Sequence, residues 1–258
     1  MKTLNISFII ALSILLFSGC GGRSILKKGA ETETEADTIT VPDTGYTGIK
    51  KYYSGTRLIK EVTFRNGIRQ GESKTFYPGG QLYQTFWFEN GLREDSARWY
   101  YLEGQVYRST PFKHDTIDGI QLQYYRTGRV KARIGFSKGL RTPLLEEYTQ
   151  DGKLIRNYPE ITFSFNDNYN SSGRVRINLA LSDKSTKVKF LRGEFTGGVL
   201  DTTRCTRLIT TNGKATLDLR KNGTTQQDFV GVIGEILTPF GNRYLAYKRI
   251  DLPYKDLK

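Results

Sequence analysis

Residues 76–91 read Phe76-Tyr77-Pro78-Gly79-Gly80-Gln81-Leu82-Tyr83-Gln84-Thr85-Phe86-Trp87-Phe88-Glu89-Asn90-Gly91. Leu82, Phe86 and Phe88 fall on one face of an extended chain, because strand side chains alternate with period two. Asn90-Gly91 tolerates the positive φ angles of a two-residue hairpin turn. Stepping 24 residues along the chain finds the same features without a gap. Rings stand at Tyr52, Phe76, Tyr100, Tyr124 and Tyr148, and again one place later at Tyr53, Tyr77, Tyr101 and Tyr125. Glycines stand at Gly80, Gly104, Gly128 and Gly152, aliphatics at Leu58, Leu82, Val106, Val130 and Leu154, and turn residues at Gly67, Gly91, Asp115 and Gly139. Each unit therefore predicts a β-hairpin. A lone hairpin is marginal in water, so successive hairpins are expected to pair edge to edge into one elongated sheet. Phe64, Phe88, Phe112 and Phe136 should form a contiguous row of stacked rings, with one Tyr column in the core and the other along the back of the sheet.

The pattern Tyr-Tyr-x-x-Gly-x-Leu followed by Phe-x-Asn-Gly-x-x-x-Gly resembles the MORN-type repeat, and more closely its bacterial variant in the YwqK family of toxin-antitoxin antitoxins. The resemblance covers roughly residues 52–159. It implies an accessory or neutralising binding protein without catalysis. Asp115 in a glycine column, Asp95 and Pro143 where Gly71 and Gly119 stand, and Glu160 at the end of the Phe column read as decaying units.

Past residue 160 the period is lost, but strand alternation continues. Val175, Ile177, Leu179 and Leu181 alternate with Arg174, Arg176, Asn178 and Ala180, and Ala215, Leu217 and Leu219 lie between Asn212-Gly213 and Asn222-Gly223. Several short strands with hairpin signals predict a small antiparallel β-sandwich, immunoglobulin-like or transthyretin-like, with Phe229 to Ile233 as an interior strand. The fold class expected is all-β, an elongated sheet of about five repeats over residues 49–160 followed by a sandwich over 161–258.

Composition narrows the chemistry. One His, two Cys and one Met among 258 residues are too few for a His-based triad, a zinc cluster or a haem. His114 occupies the turn column of Asn66 and Asn90 and reads as a turn residue. Adjacent Glu146 and Glu147 would point to opposite faces of a strand and could not act together as a glycosidase pair. No nucleophile elbow or phosphate-binding loop is present. Neither a metal, a cofactor nor catalysis is expected.

At the N-terminus, Met1-Lys2 precedes an apolar run from Ile6 to Phe17 that is too short to span a bilayer and reads as an export signal. It ends in Ser18-Gly19-Cys20 and there resembles the lipobox of bacterial lipoproteins, with Phe17 where that family prefers Leu. The resemblance implies a signal peptide over residues 1–19 and lipidation at Cys20. More than one acyl chain would make anchoring stable. Cys205 would then be the remaining thiol, a small hydrophobe. Residues 20–48, with Glu31-Thr32-Glu33-Thr34-Glu35, read as a flexible acidic tether. Residues 49–160 and 161–258 each carry a net charge of +7.

Together these readings describe a lipid-anchored binding protein of the bacterial cell envelope, at the outer membrane, whose repeat sheet engages an envelope protein. Tyr53, Tyr77, Tyr101 and Tyr125, with Arg126, Arg129 and Lys131, are the candidate contact residues. Exposed Tyr could alternatively stack on a glycan or peptidoglycan, and the basic residues could meet anionic lipid. Nucleic acid is not an expected partner of an exported chain.

Overall fold

The computed structural model describes residues 45–224 and 226–258; the signal segment, Cys20 and the tether as far as residue 44 lie outside the described residues. The repeats form one antiparallel sheet. Its strands are β1 (Gly48–Ser54), β2 (Arg57–Arg65), β3 (Ile68–Phe76), β4 (Leu82–Glu89), β5 (Leu92–Tyr100), β6 (Val106–Lys113), the two-residue β7 (Thr116–Ile117), β8 (Gly119–Tyr124), β9 (Val130–Ser137) and β10 (Leu140–Glu147). Each strand pairs with its neighbour in chain order, and β7 flanks β6.

The two sides of the ribbon are made by two kinds of turn. On one side Asn66-Gly67, Asn90-Gly91, His114-Asp115 and Lys138-Gly139 all have positive φ at both positions, the primed turn whose twist matches that of paired strands. His114-Asp115 holds this conformation without glycine because the Arg93 N–H donates to Asp115 Oδ1 at 2.8 Å and the His114 N–H to Glu94 Oε1 at 2.9 Å. On the other side the Tyr-x-x-Gly turns close with Gly80 N–H on the Tyr77 carbonyl, a bond repeated at Gly104 and Gly128, and at Gly152 with Thr149 as the acceptor.

Two bulges recur in the array, and neither was legible in the spacing. The register shifts beside the Tyr columns, at Tyr52/Tyr53, Thr75/Phe76, Trp99/Tyr100 and Gln123/Tyr124. This leaves Ile59, Tyr83, Tyr107 and Lys131 as the extra residue of each unit and turns Tyr83 onto Tyr77 at 4.9 Å and Tyr107 onto Tyr101 at 5.3 Å. A second shift falls around Gly71, Asp95 and Pro143. Asp95 adopts φ 57° there, as Gly71 does at 87°. The units without glycine keep the bulge, so they are substituted rather than decaying.

The bulges also correct the expected place of the Tyr columns. Neither is core: Tyr52, Phe76, Tyr100, Tyr124 and Tyr148 are all half-buried, and so are Tyr77, Tyr101 and Tyr125. Instead they staple one unit to the next. The hydroxyls of Tyr77, Tyr101 and Tyr125 donate to the carbonyls of Tyr100, Tyr124 and Tyr148 at 2.7, 3.0 and 2.6 Å. Tyr101→Phe is expected to cost about 1 kcal/mol, the net value of one such bond. A melting temperature unchanged from the wild type would refute the staple.

The core row differs from expectation as well. Phe64, Phe88 and Phe112 are buried and Phe136 half-buried, but they sit on alternate strands. Strands lie about 4.8 Å apart, so rings two strands apart are about 9.6 Å apart and cannot stack directly. Arginine fills the gap. Phe64 pairs across the ladder with Arg69, Phe88 with Arg93 and Phe136 with Arg141, while Ile117 opposes Phe112. The guanidinium groups lie over Phe88 (Arg69, 4.5 Å), Phe112 (Arg93, 4.4 Å) and Phe136 (Arg141, 5.3 Å). Phe86 bridges Phe88 and Phe112 at 6.3 and 6.0 Å. The row is thus a ladder of rings and cations, with Ile117 in the place of the cation between Phe112 and Phe136.

The C-terminal part is the expected antiparallel sandwich. One sheet has the order β11 (Ile161–Asn168), β12 (Arg174–Leu181), β16 (Lys214–Arg220), β15 (Thr210–Thr211). The other has β14 (Thr206–Arg207), β13 (Val188–Arg192), β17 (Phe229–Leu237) and β18 (Arg243–Asp251). A single helical turn, α1 (Tyr169–Ser172), joins β11 to β12, and its C-cap Gly173 is left-handed at φ 66°. Val175, Ile177, Leu179 and Leu181 meet Phe190, Val230, Val232 and Ile250 in one core, and β17 is interior, as its apolar run predicted. On the outer side of that second sheet, half-buried Cys205 packs with Phe195 against Leu191, Leu200, Ile233 and Leu245.

Candidate interaction surface and the junction below it

The residues singled out in the sequence cluster along the Tyr-x-x-Gly side of the ribbon, but they do not form one free surface. Tyr53, at the open end, is 56% exposed. Tyr77, Tyr101 and Tyr125 are half-buried, with their hydroxyls engaged in the staples. Arg126 lies over the Tyr101 ring at 4.6 Å and forms an ion pair with Glu103. Arg129 donates to the Gln150 carbonyl at 3.1 Å. Lys131 takes the bulge position held by Tyr83 and Tyr107 in the units before it. The strip is aromatic and cationic, and only its Tyr53 end presents a ring broadly to solvent.

The face opposite the Phe–Arg ladder carries charges in pairs. Lys51 meets Glu61 at 3.4 Å, Lys74 meets Glu72 at 3.0 Å and Arg133 meets Glu146 at 3.4 Å. Trp87 is 43% exposed there. Exposed ion pairs of this kind contribute little to stability, roughly 0–1 kcal/mol each, so they can exchange for a partner's charges at low cost.

At the far end of the array the sheet meets the sandwich, and the chemistry is different. Glu146 and Glu147 point to opposite faces, as their adjacency requires. Glu147 is fully buried, while Glu146 pairs with Arg133 and accepts from the Tyr148 hydroxyl at 3.0 Å. The Glu147 carboxylate accepts from Thr238 Oγ1 at 2.8 Å, Asn242 Nδ2 at 2.7 Å and the Tyr158 hydroxyl at 3.2 Å. Asn242 in turn accepts from Gln123 Nε2 at 2.9 Å, and Tyr158 stacks on Tyr244 at 4.3 Å. The buried carboxylate thus gathers donors from the β17–β18 turn onto the last strand of the repeats. It forms the floor of a cavity of about 850 Å³, whose walls include Tyr158, Ser185, Lys187, Leu237 and Phe240.

The three hydrogen bonds that Glu147 accepts all come from the protein itself, and among the described residues no cluster of three or more His, Cys, Asp and Glu could hold a metal ion. Burial, and then the charge and hydrogen bond of Glu147, push the Tyr158 phenol above its ordinary value of 10.0. A neutral Tyr158 therefore supports the junction below pH 10, and this support is lost as the pH climbs toward its own, higher value. Alkaline spectrophotometric titration of the wild type against Tyr158→Phe should show that the phenol missing from the variant is one that ionises only together with unfolding; a variant that instead lacks a phenol ionising at the ordinary value would contradict the arrangement.

Sequence reasoning missed both the Arg69–Arg93–Arg141 column and the role of Glu147. The first had a signal, since Arg69, Arg93 and Arg141 share the 24-residue register with Ile117 among them. The second had none, because two of the three side chains that donate to Glu147, Thr238 and Asn242, lie more than 90 residues away in the chain. No protein-family model, no curated protein and no solved structure matches the chain.

Proposed function

We propose that this chain is a non-catalytic, lipid-anchored binding protein of the bacterial cell envelope, with its MORN-type repeat sheet as the interaction scaffold. The observation that carries this reading is the division of labour in the sheet. The ladder of rings and guanidinium groups stabilises one face, and the other face is a long, solvent-facing array of weak ion pairs. A face whose charges are dispensable for folding suits recognition by electrostatic complementarity. The basic balance of both folded parts favours a partner with an acidic surface, and the resemblance to YwqK-type antitoxins supports a neutralising or accessory role. The lipobox at Cys20 supports the address, at the outer membrane.

The test has two parts. Acyl labelling of wild type against Cys20→Ala reads the anchor; equal labelling would remove it. Photo-crosslinking in living cells from Lys74 and Arg133, followed by purification of the anchored chain, reads the scaffold. Recovery of an envelope protein from these positions is the expected result, and its non-covalent binding to the purified chain should weaken in high salt. Recovery of none would overturn the scaffold reading.

A glycan-binding alternative is favoured by one observation, the exposure of Tyr53 and Trp87. Tyr53→Ala with Trp87→Ala is its proper test, because Tyr101 and Tyr125 are staples whose loss would perturb the fold. Oligosaccharide binding unchanged by both substitutions would exclude it.

A further inference from the structure

Five of the six outer strands of the three sheets carry protection against pairing with another chain, among the described residues. β1 has Lys50 and Lys51 and is bent by the bulge that Ile59 of β2 makes against Tyr52/Tyr53. β10 contains Pro143 and a register break, and the Leu200 N–H covers the Arg141 carbonyl at 2.8 Å. β14 and β15 are two residues long. β18 bears Arg243, Lys248, Arg249 and Asp251. Short length, charge, proline and bulges are the devices by which proteins keep sheet edges from pairing.

β11 has none of them. It pairs with β12 over eight residues without a register shift, and it contains no Lys, Arg or Pro. Every residue from Thr162 to Asn168 is exposed. Its one charged side chain, Asp167, is engaged by the Tyr169 N–H at 2.9 Å and the Tyr254 hydroxyl at 3.1 Å. Phe163 and Phe165 pack edge to face at 5.5 Å on the side of the sheet that carries Leu179 and Ile177, but stay 38% exposed each.

The backbone phase of this edge is known. The Ser182 N–H donates to the Glu160 carbonyl, so the even-numbered residues of β11 bond to β12. Ile161, Phe163, Phe165 and Asp167 then turn their N–H and C=O groups outward. These four are self-complementary in antiparallel register. With a two-fold axis at Ser164, Phe163 faces Phe165 of the second copy, Ile161 faces Asp167, and Thr162 faces Asn166 on the other side. No like charges meet, each odd-numbered pair is of the hydrogen-bonded kind, and both Phe rings gain a cross-strand aromatic neighbour.

We propose that β11 is a self-association edge, at which two copies of this chain pair antiparallel about Ser164 and join their four-stranded sheets into one of eight strands. The proposal is independent of the function assigned to the repeats.

Cysteine crosslinking in the full chain tests it. Across the axis the two Ser164 positions form a non-hydrogen-bonded pair with Cα atoms about 4.5 Å apart, inside the range a disulfide bridges. Thr162 and its own copy would lie about 14 Å apart at the strand rise per residue. Mild oxidation should therefore convert Ser164→Cys to a covalent species of twice the chain mass, with Thr162→Cys and the wild type, which control for Cys20 and Cys205, remaining at single mass. Adding Phe165→Lys to Ser164→Cys should abolish the covalent dimer while circular dichroism stays native. A folded Ser164→Cys chain that crosslinks no more than Thr162→Cys overturns the proposal, and so does its capture in cells by a different protein in place of a second copy.

Discussion

Glu147→Ala is expected to lower stability by about 3 kcal/mol, because it removes the one acceptor group that the Thr238, Asn242 and Tyr158 donors share. For a folded region of this size that corresponds to roughly 10 °C in melting temperature. Glu147→Gln should cost much less, about 1 kcal/mol. Its carbonyl can still accept from Thr238 and Asn242, and its amide can donate to the Tyr158 oxygen. The contrast between the two substitutions carries the argument. Equal losses would mean that charge, and not hydrogen-bond satisfaction, holds the junction. Calorimetry adds a second reading, since losing the clamp should split unfolding into one transition for the repeats and one for the sandwich. A single sharp transition in Glu147→Ala, at the wild-type temperature, would refute the role given to this residue.

Phe112→Ala is the second large effect, at about 3–4 kcal/mol for removing a buried ring. The interest lies in what the ring supports. Phe112 is the platform for Arg93, which also reaches Asp115 at 2.9 Å in the next turn. Burial works against ionisation of Asp115, but the Arg93 N–H and guanidinium outweigh it and hold the carboxyl below its ordinary value. Arg93→Met keeps the side-chain stem and removes the cation, and combined with Phe112→Leu it forms a double-mutant cycle. A coupling of about 0.5–1 kcal/mol is expected if ring and cation act together. Additive losses would reduce the ladder to two unrelated contacts.

Much of this was legible before any coordinates. Asn-Gly turns, one greasy face and a constant interval imply a hairpin array, because turn chemistry and side-chain alternation act within a few residues. His114 and Asp115 share a column with Asn66-Gly67 and Asn90-Gly91, which marks them as turn residues, and their φ angles of 49° and 63° are those of the turn. The Tyr columns were misplaced for the converse reason. Whether a ring is core or staple depends on the recurrent bulge at its side, and that bulge is a property of strand pairing. The candidate surface was partly legible in the same way. Its residues were found, but the Tyr101–Arg126–Glu103 contacts that occupy them involve side chains brought together by the stacking of units.

What the amino-acid order determined alone was the all-β class, the period and the turn type, since each follows from local backbone preference and alternation. Tertiary structure alone decided which strand edges stay open, which guanidinium lies on which ring, and that Glu147 is clamped under the β17–β18 turn. These depend on distances between residues far apart in the chain, and no local preference encodes them.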